Sequence, residues 1–228
     1  MSVEYFQLQI ESERDWREEE IRFLDNTQRA MESEDDRKKI RRSILCIVYA
    51  HIEGFVQFAF SLYIDEINKK GLKCSEVKPV IAAATLHREF LALNDKNKKS
   101  PVFRKVLPDD SKLHRLSRQA EFFENIALIH NYLVAIPEDY VSTENNVGQQ
   151  VVEKLLFQVG LEYMDLREIY SPLNRLLNVR NDISHGKRRL GIEDKEYQEF
   201  IACCKSVISG ISRRLTTAFG RSEFLQAV

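Results

Sequence analysis

Apolar residues recur along most of this chain at steps of three and four, the spacing that lines one face of an α-helix. The pattern predicts a first helix over residues 12–32, with Trp16, Ile21, Phe23 and Leu24 as apolar contacts among many charges. A second, very long helix is predicted from Asp35 to Asn68. Its stripe is Ile40, Ile44, Ile47, Val48, Phe55, Leu62 and Tyr63, widened by Phe58 and Ala59, and Lys69-Lys70-Gly71 ends it. Acids precede bases at its start, the order that the helix dipole favours. Further helices are predicted over Pro79–Leu93 and over Ser111–Ile136, as one helix or two, the latter with Phe122, Phe123, Ile126, Leu128 and Ile129 as apolar residues. Asn94–Ser100 reads as a polar, Lys-rich loop between them. Helices are also predicted over Ser171–Gly186 and Glu193–Phe219. The last has Tyr197, Phe200, Ile201, Cys204, Val207, Ile208, Ile211 and Leu215 on one stripe.

With 8 Gly and 5 Pro in 228 residues and no alternating β-branched runs, the expected fold is all-α, a helical bundle. A net charge of −1 gives no global pull toward nucleic acid or membrane, so anion binding must come from local patches. The run Ser43–Ile64 is long enough to span a bilayer but contains His51, Glu53 and Gln57, so it reads as a buried core helix. No membrane partner is expected. The N-terminus lacks the order of a signal peptide, and cytoplasmic residence is expected. Cys46, Cys74, Cys203 and Cys204 show no C-x-x-C spacing and read as reduced thiols. His87, His114 and His130 have no metal-ligand company, and no metal or cofactor is expected.

The chemistry concentrates at Ser171–Gly186, S-P-L-N-R-L-L-N-V-R-N-D-I-S-H-G. Ser171 suits an N-cap, Pro172 the first helical position, and Gly186 a left-handed C-terminal cap. Leu173, Leu176, Leu177 and Ile183 form a partial stripe, with Ile183 expected to point into the core. The last turn carries Arg180, Asn181, Asp182, Ser184 and His185. Asn181 and His185 are four residues apart and share a face. The plain alternative is a solvated helix end whose imidazolium the dipole favours. Inside the long helix, Glu53 and Gly54 interrupt an apolar run. Close packing at Gly54, with Glu53 turned to a cation, explains both; Arg180 is the expected partner. The plain alternative puts Glu53 on a solvated edge.

Arg180-x4-His185 with a polar Asn181 after the Arg resembles the signature of the HEPN superfamily (higher eukaryotes and prokaryotes nucleotide-binding). Y-A-H-I-E-G-F-V from Tyr49, with Asn68 beyond it, is similar to the first core helix of its RiboL-PSP-HEPN, or MAE-like, type. Asn145-Asn146, V-V-E-K-L-L-F-Q-V-G-L from Val151 and the R-N-D-I-S-H-G motif follow in the order of that type. The resemblance implies one HEPN-like domain over residues 1–228, with a core at about 12–70 and 140–220 and a helical insertion at about 71–139, active as a homodimer. It implies a metal-independent endoribonuclease of a toxin–antitoxin or anti-phage defence system, leaving 2′,3′-cyclic phosphate and 5′-OH ends. Arg180, His185, Asn181 and Glu53 would be its catalytic residues, with Asp182 and Ser184 supporting. Its partners would be RNA, a second copy, and an antitoxin or defence-system protein.

Lys187, Arg188 and Arg189 are candidates to bind RNA, as are Arg37, Lys38, Lys39, Arg41 and Arg42, although charge runs are usually solvated faces. Some HEPN toxins carry a Tyr two residues after the motif His, which a nucleotidyltransferase antitoxin modifies. Lys187 stands there, so that mode of neutralisation is not expected. Two other classes fit the same residues. One is a catalytically silent HEPN module that binds RNA, nucleotide or a partner protein. The other is a helical assembly protein in which the motif is coincidence.

Overall fold

The structure is a computed structural model that describes residues 2–95, 99–102, 111–164 and 166–226. Among these residues there are eight α-helices, one short 3-10 turn (Glu138–Tyr140) and no strands. The helices are α1 (Val3–Arg29), α2 (Glu34–Asn68), α3 (Pro79–Thr85), α4 (His87–Asn94), α5 (Ser111–Ile129), α6 (Gln149–Gln158), α7 (Arg167–Ser184) and α8 (Asp194–Gly220). The chain divides into two compact units. The first holds Met1–Tyr63 and Val141–Glu223, the second Ile64–Tyr140 and Phe224–Val228.

In the first unit α2 is the central helix. Ile44, Leu45, Val48, Tyr49, Ile52, Phe55, Val56 and Phe60 are almost wholly buried, so burial extends well beyond one stripe. By length and composition α2 could cross a membrane, yet 56% of its apolar window is buried inside the structure; it is built as a core helix. α8 packs against both α1 and α7, and every apolar residue predicted on its stripe is buried. Phe6 stacks on Phe219 at 4.5 Å between ring centroids, and Tyr63 meets both rings edge-on. Three cysteines are buried, Cys46 is half-buried, and all four are free. Burial pushes the Cys203 thiol up to about 11, which keeps it protonated and unreactive at neutral pH.

Local signals and tertiary burial disagree in several places. α1 starts at Val3, where the Ser2 hydroxyl accepts from the Tyr5 N–H, and it extends back from residue 12 because Phe6 and Ile10 are core residues. Of its four predicted contacts only Ile21 is buried. Leu24 is half-buried, Trp16 is exposed, and Phe23 is 67% exposed. The helix predicted over Pro79–Leu93 breaks at Leu86 into α3 and α4, where the Thr85 hydroxyl accepts from the Ala135 N–H and donates to the Ile81 carbonyl.

α5 stops at Ile129 rather than Ile136. The carbonyls of His130 and Tyr132 accept from the N–H groups of Ser75 and Cys74, which draws the chain into a bridge between Lys73 and Leu133. On α5, Phe123, Ile126 and Leu128 are exposed instead of forming a core face. At the end of α2, the Asn68 amide accepts from the Ile136 N–H and donates to its carbonyl, fixing the return of the second unit's chain. His114 is a buried histidine that accepts from the Ser100 N–H, and the His87 ring meets Tyr140 edge-on. Within the predicted Asn94–Ser100 loop, residues 96–98 lie outside the described residues.

Candidate functional site

α7 carries the Arg-x4-His segment, and its apolar face is Ile169, Tyr170, Leu173 and Leu176, all buried. That face also explains where the helix begins. Ser171 and Pro172 are a plausible local start, but burial of Ile169 and Tyr170 favours an earlier one at Arg167, and Pro172 lies inside the helix. There it withholds one N–H from the helical ladder and leaves the Glu168 carbonyl without that bond. The C-terminal end follows its local signals. Gly186 takes φ 70°, its N–H donates to the Ile183 carbonyl, and the Lys187 N–H donates to the Asp182 carbonyl. This pair of bonds is a Schellman cap, which satisfies carbonyls the helix would leave open. His185 is the capping residue, exposed at the mouth of the helix end. Ile183 is half-buried and not a core residue, since the fully buried face of α7 ends at Leu176.

Arg180 leaves α7 toward α2. Its guanidinium carbon lies 4.7 Å from the centroid of the Tyr49 ring. Nη2 lies 4.0 Å from Glu53 Oε2, and Nη1 donates to Asn181 Oδ1 at 2.9 Å. The Arg180 and Glu53 side chains keep 25% and 19% of their accessible surface, so the pair is largely withdrawn from water but open on one side. At that depth the attraction is screened less than on the surface, although 4.0 Å is a contact between charges and not a short hydrogen bond. The Thr143 hydroxyl donates to the other carboxylate oxygen of Glu53 at 3.4 Å.

Tyr49 and Glu53 belong to a longer row. Tyr49, Glu53 and Gln57 are spaced four apart on α2, so they stand above one another on one face. Each holds the segment 141–147. The Tyr49 hydroxyl donates to the Val147 carbonyl at 3.2 Å, Glu53 accepts from Thr143, and the Gln57 amide donates to the Val141 carbonyl at 3.2 Å. The strap so held runs antiparallel to α2 and exposes Ser142, Glu144, Asn145 and Asn146. Glu144 and Asn145 both have positive φ, 55° and 56°. Burial pushes the Tyr49 phenol well above its ordinary range, Glu53 adds to the rise, and Arg180 opposes it. The phenol therefore stays a neutral hydrogen-bond donor.

The basic residues divide. Arg188 is tied to Glu196 through two hydrogen bonds of 3.1 and 2.6 Å, while Lys187 and Arg189 are exposed. The residues of the second predicted cluster are mostly paired with acids or carbonyls. Arg41 is buried and joins Glu34, Asp194 and the Gln28 amide; Arg37 holds the Met31 carbonyl and Glu34; Lys38 pairs with Glu193 and Lys39 with Asp36. Arg42 donates to the Arg189 carbonyl, and the Ile192 N–H donates to the Lys38 carbonyl, so the two clusters come together. A groove of about 740 Å³ lies where they meet, with Lys38, Lys39, Asp182, Lys187, Arg188 and Arg189 on its walls.

Arg180, Asn181 and Glu53 thus come together at a partly open spot, and His185 stands one turn beyond Asn181 at the end of the same helix. Asp182 faces the groove, and Ser184 is exposed on the final turn. Tyr49, Thr143 and Gln57 adjoin this candidate site without having been expected there; the i, i+4, i+8 spacing of Tyr49, Glu53 and Gln57 is a local signal for two of them, and Thr143 has none. Among the described residues no three His, Cys, Asp or Glu side chains gather as a metal site would need. A guanidinium over an aromatic ring can bind and polarise a phosphate, and an exposed imidazole at the end of the same helix can take up or give a proton.

A family model described as RiboL-PSP-HEPN matches residues 12–217. No curated protein and no solved structure matches the chain.

Proposed function

This chain belongs to the RiboL-PSP-HEPN family, and from that membership we propose that it is an endoribonuclease working through Arg180 and His185. The observation that carries the reading is Arg180 itself, over the Tyr49 ring beside Glu53 and Asn181 and still a quarter exposed, with His185 exposed at the end of the same helix. In the reaction the 2′-oxygen of a ribose attacks the adjacent phosphorus, the P–O5′ bond breaks, and a 2′,3′-cyclic phosphate and a 5′-hydroxyl result. One group takes the proton from the 2′-oxygen and another gives a proton to the departing 5′-oxygen. Arg180 holds the non-bridging oxygens as negative charge builds on them. One imidazole serves one of the two proton transfers well, so the proposal includes a homodimer in which a second copy's His185 serves the other. Arg180 supplies the positive charge that a metal would otherwise bring, so cleavage is expected to survive EDTA.

Lys187 and Arg189, exposed beside the groove, would follow the RNA backbone through phosphate contacts. Arg188 would set their loop through Glu196. A ribonuclease of this kind harms the cell that makes it, which supports a place in a cytoplasmic toxin–antitoxin or anti-phage defence system with a restraining partner protein. Purified protein incubated with RNA in EDTA should release fragments whose 5′ ends accept phosphate from a kinase without prior phosphatase treatment. Fragments carrying 5′-phosphates would overturn the mechanism. Tight RNA binding without any cleavage would favour the silent module.

A further inference from the structure

We propose that Tyr49 is a positioning residue, whose ring is the platform that orients the Arg180 guanidinium toward the scissile phosphate; this rests on the ribonuclease reading. Arginine has a long, flexible side chain, and the groups that touch Arg180 do not by themselves fix it. Asn181 is its chain neighbour and moves with it, and Glu53 stands 4.0 Å away, a distance at which a guanidinium can still turn. A flat ring is different, because it restricts the plane of the cation that lies on it. The ring of Tyr49 is itself held in place. It is fully buried among core side chains, and its hydroxyl donates to the Val147 carbonyl at 3.2 Å, which fixes the far end of the ring.

The division of surfaces favours phosphate binding. The Arg180 guanidinium carbon lies over the Tyr49 ring at 4.7 Å, and a guanidinium lying face-on to a ring keeps its N–H edges for hydrogen bonds. Nη1 gives one N–H to Asn181, and Nη2 stands 4.0 Å from Glu53 Oε2. Of the five N–H groups an arginine carries, the rest have no partner among the described residues and lie on a side chain that is still a quarter exposed. A phosphate approaching from that side meets a prearranged fork. Tyr49 touches neither substrate nor reacting atoms in this scheme. It acts through Arg180, and Glu53 one turn along the same helix face balances the charge.

The test is cleavage of an RNA oligonucleotide by the full chain carrying Tyr49→Phe, Tyr49→Leu or Tyr49→Met. The ring-current shift of the Arg180 side-chain protons in NMR spectra reports the geometry without reference to activity. Phe keeps the ring and loses the hydroxyl; Leu and Met remove the ring and keep an apolar side chain. The expected result is a kcat within about threefold of wild type for Tyr49→Phe and about 10- to 100-fold lower for Leu and Met, with KM little changed. The ring-current shift should persist in the Phe variant and vanish in the other two. If Tyr49→Leu unfolds, Tyr49→Met carries the comparison, and the shift in wild type and Tyr49→Phe stands without either. Wild-type kcat in a folded ringless variant overturns the platform. So does a Phe variant as slow as Leu, or a wild-type Arg180 without the shift. Wild-type protein that leaves RNA intact overturns the ribonuclease reading instead, and the shift still reports whether the ring holds the arginine.

Discussion

Gly54 of α2 lies directly under the guanidinium of Arg17 of α1: a β-carbon at position 54 would sit 3.1 Å from Nη2 and 3.3 Å from Nη1. The glycine that interrupts an apolar helix is therefore a seat for a buried arginine. Arg17 is held there from three sides. It pairs with Glu13, donates to Nδ1 of His51 at 3.4 Å, and lies over the ring of Trp16 at 4.3 Å.

This predicts an unusual response to substitution. Alanine in place of a mid-helix glycine ordinarily stabilises by about 1 kcal/mol. At Gly54 that gain should disappear, because Arg17 is anchored and must shift by several tenths of an ångström. Gly54→Leu should destabilise by roughly 1–3 kcal/mol through overpacking. Urea unfolding curves decide the matter, and a full gain for Gly54→Ala would show that Arg17 moves aside freely.

His51 in the same cluster gives the fold a pH dependence. Burial lowers its pKa below the usual 6.5, with Glu20, 3.4 Å from Nε2, opposing and Arg17 reinforcing the shift. The folded state thus prefers neutral imidazole, whereas the unfolded chain takes up a proton near 6.5. The stability held by the neutral form is complete above that pH and drains away as pH falls through the folded-state value. Melting temperature should therefore drop more between pH 7.5 and 5.5 for wild type than for His51→Gln. Equal drops would mean that His51 carries no part of the dependence.

Glu53→Gln removes a charge and keeps an oxygen that can accept from Thr143. The variant should fold, melt a few degrees lower, and cleave RNA about tenfold more slowly, since Arg180 loses its counter-charge. Glu19→Gln, an exposed position on α1, is the control and should change neither property. A Glu53→Gln protein with wild-type kinetics would reduce Glu53 to a holder of the strap.

What the sequence made legible was local. The periodicity of α8, the acidic start of α2 and the Gly186 cap are all encoded within a few residues, and helices appear where those signals stand. What it hid was non-local. The Tyr49–Val147 hydrogen bond closes 98 positions of chain, and no short-range pattern announces it. The start of α7 was obscured because Ser171-Pro172 looks like a beginning, while burial of Ile169 and Tyr170 acts from outside the helix. Phe23 and Phe123 show the converse: helical spacing places an apolar residue on a face but does not say whether anything covers it. Arg41, one of five residues in a basic run, turned out to be a buried hub because its acids, Glu34 and Asp194, are supplied by two different segments.

The central claim is that Arg180 and His185 cut RNA, and the most direct measurement is total RNA integrity in cells induced to express wild type or His185→Ala, repeated with both purified proteins in EDTA. His185 is exposed at a helix end, so its loss should leave the melting temperature close to wild type. The account predicts RNA breakdown and growth arrest with wild type alone, and cleavage by the purified wild type that persists in EDTA. RNA degraded equally by His185→Ala, or left intact by a folded wild-type protein both in cells and in the purified reaction, would contradict it.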